Sequence, residues 1–585
     1  MVPHFSKIGT AALLVVVCQV LTAQALAFDY SKNKIRGVSL GGWLLLEPFL
    51  TPDIFEATGD PLVVDEYTYG QKYGSAAAGA RLKSHWDTFI TETDIATIKS
   101  YGLNHVRIPI GHWSLNKNST EPHPIGAYPY LKKAVGWCQK YGLKVILDLH
   151  GAPGSQNGFD NSGRKGPIRW HTSKVNVDRT RAALKILIDD FVVNPQYQDT
   201  VTSIEALNEP AGFIGEAMLS VTKQYYYDSY GALRWPYGTS TQADTLLSLH
   251  DAFQDPAVYW RDFMPSPNWY NVALDTHYYS IFSESQLRWT NQQRIDGICN
   301  FAKSMTGGTL WTYAGEWVAA ITDCAGSRTV LGPKGSSIYD GTGNSNAPIG
   351  SCTNMTGSGA NFSNEMKVFM RQYWETQANV YEKGLGWIYW TWKTSRPDEW
   401  SYMKGVEYGW IPKTPTERKY PDLCQTKLPP LPTTSTATST STSTSKPTTT
   451  TSTTSTSKPA TSTSTISTST RLTTTSQSST FTTSTSKSTS TTKPATTVTT
   501  TSKVTTTSKP TSTSTSTSRS ISTSKSTSST TKISTVSPTS SPSTTSVGTV
   551  ALAKGRGPGL AASTTTKPSS TPSPTLAKIR GRSLG

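Results

Sequence analysis

Long apolar runs are nearly missing from this chain. The clearest, Ala11-Ala12-Leu13-Leu14-Val15-Val16-Val17, falls well short of the ~20 residues a membrane-spanning helix needs. No bilayer span is expected. Acidic residues are missing from residues 425–585, which hold 17 Lys plus Arg and no Asp or Glu. The formal charge of +16 belongs to that stretch, because residues 1–424 carry 38 basic and 39 acidic residues. A near-neutral body removes the case for nucleic-acid binding that a basic isoelectric point suggests. Cysteine is scarce, six in all, and no Cys or His cluster has metal-site spacing. Neither a metal nor an organic cofactor is expected.

The two ends read differently from the middle. Lys7 precedes the apolar run and Ala25-Leu26-Ala27 follows it, the pattern of a cleaved secretory signal peptide. The mature chain is expected to begin near Phe28. From about Leu428 to Gly585 the sequence is mostly Ser and Thr with scattered Pro and Lys. Such a stretch has too little apolar surface to offset the entropy of ordering, and in a secreted protein it reads as an O-glycosylated stalk. Its positive charges attract anionic wall polymers weakly or simply keep it soluble. No apolar run closes the C-terminus, so a lipid-anchor signal is not expected. The expected organisation is a signal peptide at 1–27, one folded domain at 28–428 and a disordered tail at 429–585. Acceptor sequences for N-glycosylation start at Asn118, Asn354 and Asn361. The expected location is extracellular or cell-wall associated, and the expected state is a monomer.

Cys18 leaves with the signal peptide, and Cys138 sits in a helical-looking segment as a buried free thiol. Cys299, Cys324, Cys352 and Cys424 remain. In an oxidising compartment they favour disulfides, and four cysteines allow three pairings.

Between residues 28 and 428, apolar runs recur, each followed by a longer helical or loop segment. They are Ile35–Trp43, His105–Ile110, Lys144–His150, Ser203–Pro210, Asp244–Phe253, Asn271–Tyr279, Thr309–Trp317 and Gly384–Trp392. Phe89–Gly102 reads as a helix with Ile90, Ile95 and Ile98 on its apolar face. Eight strands in βα order predict an α/β fold, a (β/α)8 TIM barrel with loop insertions. The ends of these runs carry Glu47, Arg107, His150, Glu209, His277, Tyr279, Glu316 and Trp390. Each alone has a dull explanation, such as a core histidine or a core tryptophan. Together they would line one rim, where barrel active sites are built.

Glu209 and Glu316 stand out. Retaining glycoside hydrolysis needs two carboxyls ~5–5.5 Å apart, one as acid/base and one as nucleophile. The acid must start protonated and the nucleophile ionised. Arg107 and Tyr279 are candidates to stabilise the anion. Asn208 is placed to bond a sugar 2-hydroxyl, an interaction that strengthens in the transition state. Phe159, Phe282 and Trp390 suit the apolar faces of pyranose rings.

These motifs carry a resemblance. RGVSLGGWLLLEP from Arg36, VRIPIGHW from Val106, LDLHGAPGSQNGFDNSG from Leu147, ALNEP from Ala206, DTHYY from Asp275, AGEW from Ala314 and GWIYWTWK from Gly386 resemble fungal exo-β-1,3-glucanases of glycoside hydrolase family five. The likeness runs through nearly all of residues 33–424. ALNEP is shared across that family, whereas the Gly151–Gly163 loop is more specific to the exo-glucanase branch. The resemblance implies Glu209 as acid/base and Glu316 as nucleophile, surrounded by Arg107, Asn208, His277 and Tyr279. It implies Glu47, His150 and Asp160 as contacts to the terminal glucose, Phe159 and Phe282 as an entrance clamp, and Trp390 as a sugar platform. It also implies pairing Cys299 with Cys424 and Cys324 with Cys352. Cys138 and the long tail depart from the compact secreted members. The expected function is a secreted retaining exo-β-1,3-glucanase acting on β-glucan in the fungal cell wall. Rivals are a β-1,6-glucanase or broad β-glucosidase, a glucan-binding wall mannoprotein with little activity, and a transglycosylase.

Overall fold

The computed structural model describes residues 27–429, apart from 239–240, 326–336 and 344–346. The expected signal peptide, before Ala27, and the Ser/Thr-rich stretch from Pro430 onward lie outside the described residues. Eight strands follow one another as β1 (Ile35–Ser39), β2 (His105–Gly111), β3 (Lys144–Gly151), β4 (Val201–Glu205), β5 (Leu246–His250), β6 (Val272–Tyr278), β7 (Trp311–Trp317) and β8 (Gly386–Tyr389). Each pairs in parallel with the next, and β8 returns to β1, so the sheet closes into a barrel. The (β/α)8 architecture expected from the sequence is the one observed.

Strands buried on both faces explain the near-continuous apolar runs. Inward side chains Ile35, Ile146, Leu246, Ala273, Tyr313 and Ile388 form an apolar plug with Tyr30. Their outward neighbours, among them Val38, Val106, Ile108, Val145 and Leu147, pack into the core that includes the helices. Further toward the C-terminal ends of the strands lie buried polar and charged residues: Arg107, Asp148, Glu205, Ser248 and Asp275. Strand register sets Asp148 beside Glu205, Glu205 beside Ser248 and His250 beside Asp275. The barrel thus changes from an oily plug to a charged mouth along its axis.

Several boundaries move. β1 ends at Ser39 rather than Trp43, β4 at Glu205 rather than Pro210, and β8 at Tyr389 rather than Trp392. Only Leu246–His250 of the fifth run is strand. Beyond those points the chain turns over the rim. Glu209 (φ 47°), Ala252 (φ 51°) and Phe253 (φ 58°) adopt left-handed backbone that no strand accepts. The predicted helix 89–102 is Glu92–Ser100. A Thr91–Asp94 capping box starts it, and Phe89 is the C-cap of the preceding helix Ser75–Thr88. Ile95 and Ile98 are fully buried, as their spacing implies.

Both implied disulfides are present, Cys299–Cys424 and Cys324–Cys352, and Cys138 is a buried free thiol. Asn118, Asn354 and Asn361 are exposed. Cys299–Cys424 spans 125 residues and ties the segment after β8 to the helix Asn291–Thr306 that precedes β7. Replacing both cysteines by Ser should cost about 2–5 kcal/mol. A clear fall in thermal midpoint is expected, and an unchanged melting curve would contradict it.

Candidate active site

Arg107 projects from β2 into the barrel mouth and is fully buried. Its guanidinium is used on every side. Nε donates to Glu205 Oε2 at 2.9 Å, Nη1 to Glu316 Oε1 at 2.8 Å and Nη2 to Asn208 Oδ1 at 2.8 Å. Asp148 Oδ2 lies 3.1 Å from Nη2. Burial works against the charge, but the carboxylates of Asp148, Glu205 and Glu316 raise its pKa further and keep the group cationic. A buried guanidinium needs such partners, because an unpaired buried charge is strongly destabilising.

Glu316 sits on β7 with both oxygens engaged. Arg107 holds Oε1, and the Tyr279 hydroxyl donates to Oε2 at 2.9 Å. Glu209 lies beyond β4 in the left-handed turn described above, a strained geometry found at functional sites. His277 Nδ1 is 2.8 Å from Glu209 Oε1, and Asn161 Nδ2 donates to Oε2 at 2.8 Å. The same Nδ1 is 3.5 Å from Glu316 Oε2. One ring nitrogen thus reaches an oxygen of each acid, a closeness compatible with the ~5–5.5 Å of a retaining pair.

The charges are coupled. Burial works against a charged His277, yet Glu316, Asp275 and Glu209 push its pKa well above the ordinary value, so the ring is an imidazolium. Burial raises the Glu316 carboxyl above its usual range, although His277 and Arg107 oppose the rise. Burial also acts on Glu209, but the hydrogen bond and charge of His277, with Asn161, bring it below the usual range. The proton nearest Glu209 therefore rests on His277.

A break in the β6–β7 register delivers this arrangement. Thr276 pairs with Ala314 and His277 with Glu316, so Gly315 is skipped. The Gly315 amide donates to Asp275 Oδ1 at 2.6 Å, and a Cβ there would lie 1.9 Å from Asp275 Oδ2. The glycine of AGEW is therefore the space that Asp275 occupies. Gly41 has a similar duty, since a Cβ would meet the Trp390 ring at 2.7 Å.

The remaining candidates gather at the same mouth. Trp390 lies parallel to His150 at 5.7 Å, and the Arg107 guanidinium is 6.0 Å from its ring centre. His150 Nδ1 bonds Asp148 at 2.6 Å, and its Nε2 faces Asn208 Nδ2 at 3.5 Å. Glu47 is buried, and its Oε1 has no partner among the described residues. Burial and then the charges of Glu316, Asp160 and Glu209 push the Glu47 carboxyl well above its usual range, as expected for acids sharing one pocket. The two implied clamp rings belong to separate aromatic groups. Phe159 packs with Phe213 and Phe253, whereas Phe282 packs with Tyr279 and Trp400. No ring contact joins them among the described residues.

Two sets of close acids and histidines, Glu209–His250–His277 and Glu205–Asp275–His277, have the proximity of a metal site. Their chemistry does not fit one. His250 Nδ1 accepts the Ala252 amide at 2.9 Å, Glu205 Oε2 accepts from Arg107 at 2.9 Å and Asp275 Oδ1 accepts the Gly315 amide at 2.6 Å, so these donor atoms are already taken.

Asp148, Glu205, Asp275 and Asn161 were missed as site residues from the sequence. A signal existed: Asp148 and Glu205 are charges inside buried apolar runs, and Asp148 shares the inward face with His150 two residues later. Nothing in the sequence tied Asn161 to Glu209.

A parallel barrel with two acids at its mouth, fixed by arginine, tyrosine and histidine, defines a glycoside hydrolase. Comparison with known proteins agrees. The Cellulase family (glycosyl hydrolase family 5) matches residues 70–320. The chain is 43% identical over 412 residues to a glucan 1,3-beta-glucosidase of Blumeria graminis, covering 69% of this chain and 93% of the relative. It is 37% identical over 415 residues to one from Candida oleophila, covering 69% and 94%. A rutinosidase structure from Aspergillus niger shares the fold, with a TM-score of 0.51 at 19% identity over 66% of this chain and 99% of that one. The chain belongs to glycoside hydrolase family 5, with fungal glucan 1,3-beta-glucosidases as its relatives.

Changing Gly315→Ala should force Asp275 and the Glu316 strand apart. The expected loss in kcat/KM is ~10²-fold or more, as for a displacement near 1 Å, with the fold retained by circular dichroism. Near-normal activity would contradict this account of the register break.

Proposed function

We propose that the protein is a secreted retaining exo-β-1,3-glucanase that removes glucose from non-reducing ends of β-1,3-glucan in the fungal cell wall. The observation that carries the mechanism is the division of donors between the two acids. Glu316, fixed by Arg107 and Tyr279, is aimed as the nucleophile. Glu209, held by His277 and Asn161, serves the leaving group.

Glu316 attacks the anomeric carbon as Glu209 protonates the departing oxygen, forming a glucosyl–Glu316 ester. Glu209 then takes a proton from water, which attacks the ester and releases β-glucose. The acid form of Glu209 arises by proton transfer from His277 along their 2.8 Å hydrogen bond. This route reconciles a low carboxyl pKa with work as an acid. Asn208 has its Oδ1 committed to Arg107 and offers its amide to the sugar 2-hydroxyl. Glu47, His150 and Asp160 grip the terminal glucose, Trp390 lies beneath it, and Phe159 and Phe282 flank the next sugar.

The β-1,3 linkage is supported by the relatives at 37–43% identity and by the Gly151–Gly163 loop, whose Asn161 reaches the acid directly. In this reading residues 1–27 direct secretion, and residues 429–585 form an O-glycosylated tail in the wall.

Glu316→Gln should abolish laminarin hydrolysis with the fold intact, and near-normal hydrolysis by that variant would overturn the assignment. The unmodified enzyme should release glucose without early oligosaccharides; early oligosaccharides would indicate endo cleavage. The profile of kcat/KM against pH should be bell-shaped. Its acid limb marks protonation of Glu316, whose carboxyl stands above its ordinary value of 4.5, so activity falls before that value is reached from above. Its alkaline limb marks loss of the proton shared by Glu209 and His277. His277→Gln should lower kcat/KM by ~10²–10⁴-fold and displace the alkaline limb; an unmoved limb would exclude His277 as the proton source.

A further inference from the structure

Five large aromatic side chains are exposed among the described residues, and all belong to the part of the chain between β4 and the start of β7. They are Tyr227, Trp235, Tyr237, Tyr270 and Trp311. Tyr227 sits on the helix Glu216–Arg234, which joins β4 to β5. Trp235 caps that helix, Tyr270 precedes β6, and Trp311 opens β7 opposite Ala273.

Contacts join Tyr227 to Tyr270 through Trp269, Tyr230 and Arg234. Tyr227, Tyr230 and Arg234 fall on one helix face by their spacing of three and seven. The Trp269 ring lies 5.3 Å from Tyr227 and 4.8 Å from Tyr230. The Arg234 guanidinium lies 5.4 Å from the Tyr230 ring and 5.2 Å from the Tyr270 ring. From Tyr227 to Trp235 the helix rises about 12 Å, longer than a single pyranose. Arg234 makes the strip rigid, donating to the carbonyls of Ala243, Thr245, Tyr270 and Asn271. The Tyr270 hydroxyl bonds Asp244 at 3.2 Å, and the Tyr237 hydroxyl bonds the Val192 carbonyl at 2.8 Å. The platform is therefore set before anything binds.

Its position separates it from the catalytic mouth. The helix end, the turn into β6 and the first residue of β7 all lie at the N-terminal end of the barrel, whereas Glu209 and Glu316 lie at the other. Its chemistry narrows the occupant. Ring faces and phenol hydroxyls complement the C–H faces and hydroxyl edges of a sugar. Of the cations nearby, Arg234 is buried and spent on carbonyls, Arg181 pairs with Asp228 at 3.4 Å and Lys223 lies over the Tyr259 ring, while Asp244 stands beside the strip. An anionic polymer is disfavoured, and a neutral one fits.

We propose that this strip is a second polysaccharide-binding surface, which holds the body of a neutral β-glucan chain while the active site works on an end. The choice of polymer rests on the glucanase reading above. The site adds avidity toward insoluble glucan and nothing to the chemistry.

The test uses the full chain carrying Glu316→Gln, mixed with insoluble β-1,3-glucan in high salt, with laminaribiose present to fill the active site. High salt suppresses attachment through the basic tail. We expect the protein to leave solution with the glucan. Tyr227→Ala with Trp235→Ala should weaken retention about tenfold, while the same pair in the active enzyme leaves laminaribiose hydrolysis unchanged. Retention equal to that of the unsubstituted protein would overturn the proposal. If the double variant melts early, Tyr270→Ala in the same depletion assay decides, with unchanged retention again overturning it. Laminaribiose hydrolysis without glucan depletion sinks this inference alone, whereas failure of the unmodified chain to hydrolyse laminaribiose sinks the glucanase reading.

Discussion

The buried guanidinium of Arg107 is the constraint from which the catalytic mouth follows. A cation taken wholly out of water must be surrounded by partners. Here those partners come from four places: Asp148 on β3, Glu205 on β4, Asn208 past β4 and Glu316 on β7. Two of these ligands are structural acids that never meet the pocket. The other two belong to the chemistry. The group that holds the strands together electrostatically is thus the group that aims the proposed nucleophile, and barrel stability and the geometry of the site cannot be separated at this point.

His277 is the second joint. It reaches both carboxyls because the register break at Gly315 brings Glu316 level with it. Its positive charge answers three acids, which suits it to be the proton reserve of the proposed reaction. In that reaction Glu209 receives the proton across a hydrogen bond already formed, and Asn161 steadies its other oxygen. Two identical side chains are made different by what donates to them: guanidinium and phenol on one side, imidazolium and amide on the other. These donors, rather than the order of the two pKa values, separate the proposed roles.

Much of this was legible in the residues. Period and order gave eight strands and a barrel, because parallel strands buried on both faces leave long apolar runs. The polar residues following those runs marked the mouth, because barrel geometry puts strand C-termini there. The sequence was less informative where local pattern and tertiary demand diverge. Apolar character continues through Ala206-Leu207 although the strand stops at Glu205, since buried rim turns are apolar too. Left-handed backbone at Glu209 is invisible in a glutamate, as most such positions take glycine. Asp148 and Glu205 looked like strand residues because their reason for being charged, Arg107, lies on another strand. The tie between Asn161 and Glu209 joins loops 48 residues apart, a separation that no local pattern bridges.

The central claim is that Glu209 and Glu316 act as a retaining pair held by Arg107 and His277. The most direct measurement is the anomeric configuration of the first glucose released from laminarin, followed by proton NMR before mutarotation. β-Glucose as the initial product is the result expected of a covalent glucosyl–Glu316 intermediate. α-Glucose would mean single displacement by water and would contradict the assignment of the pair.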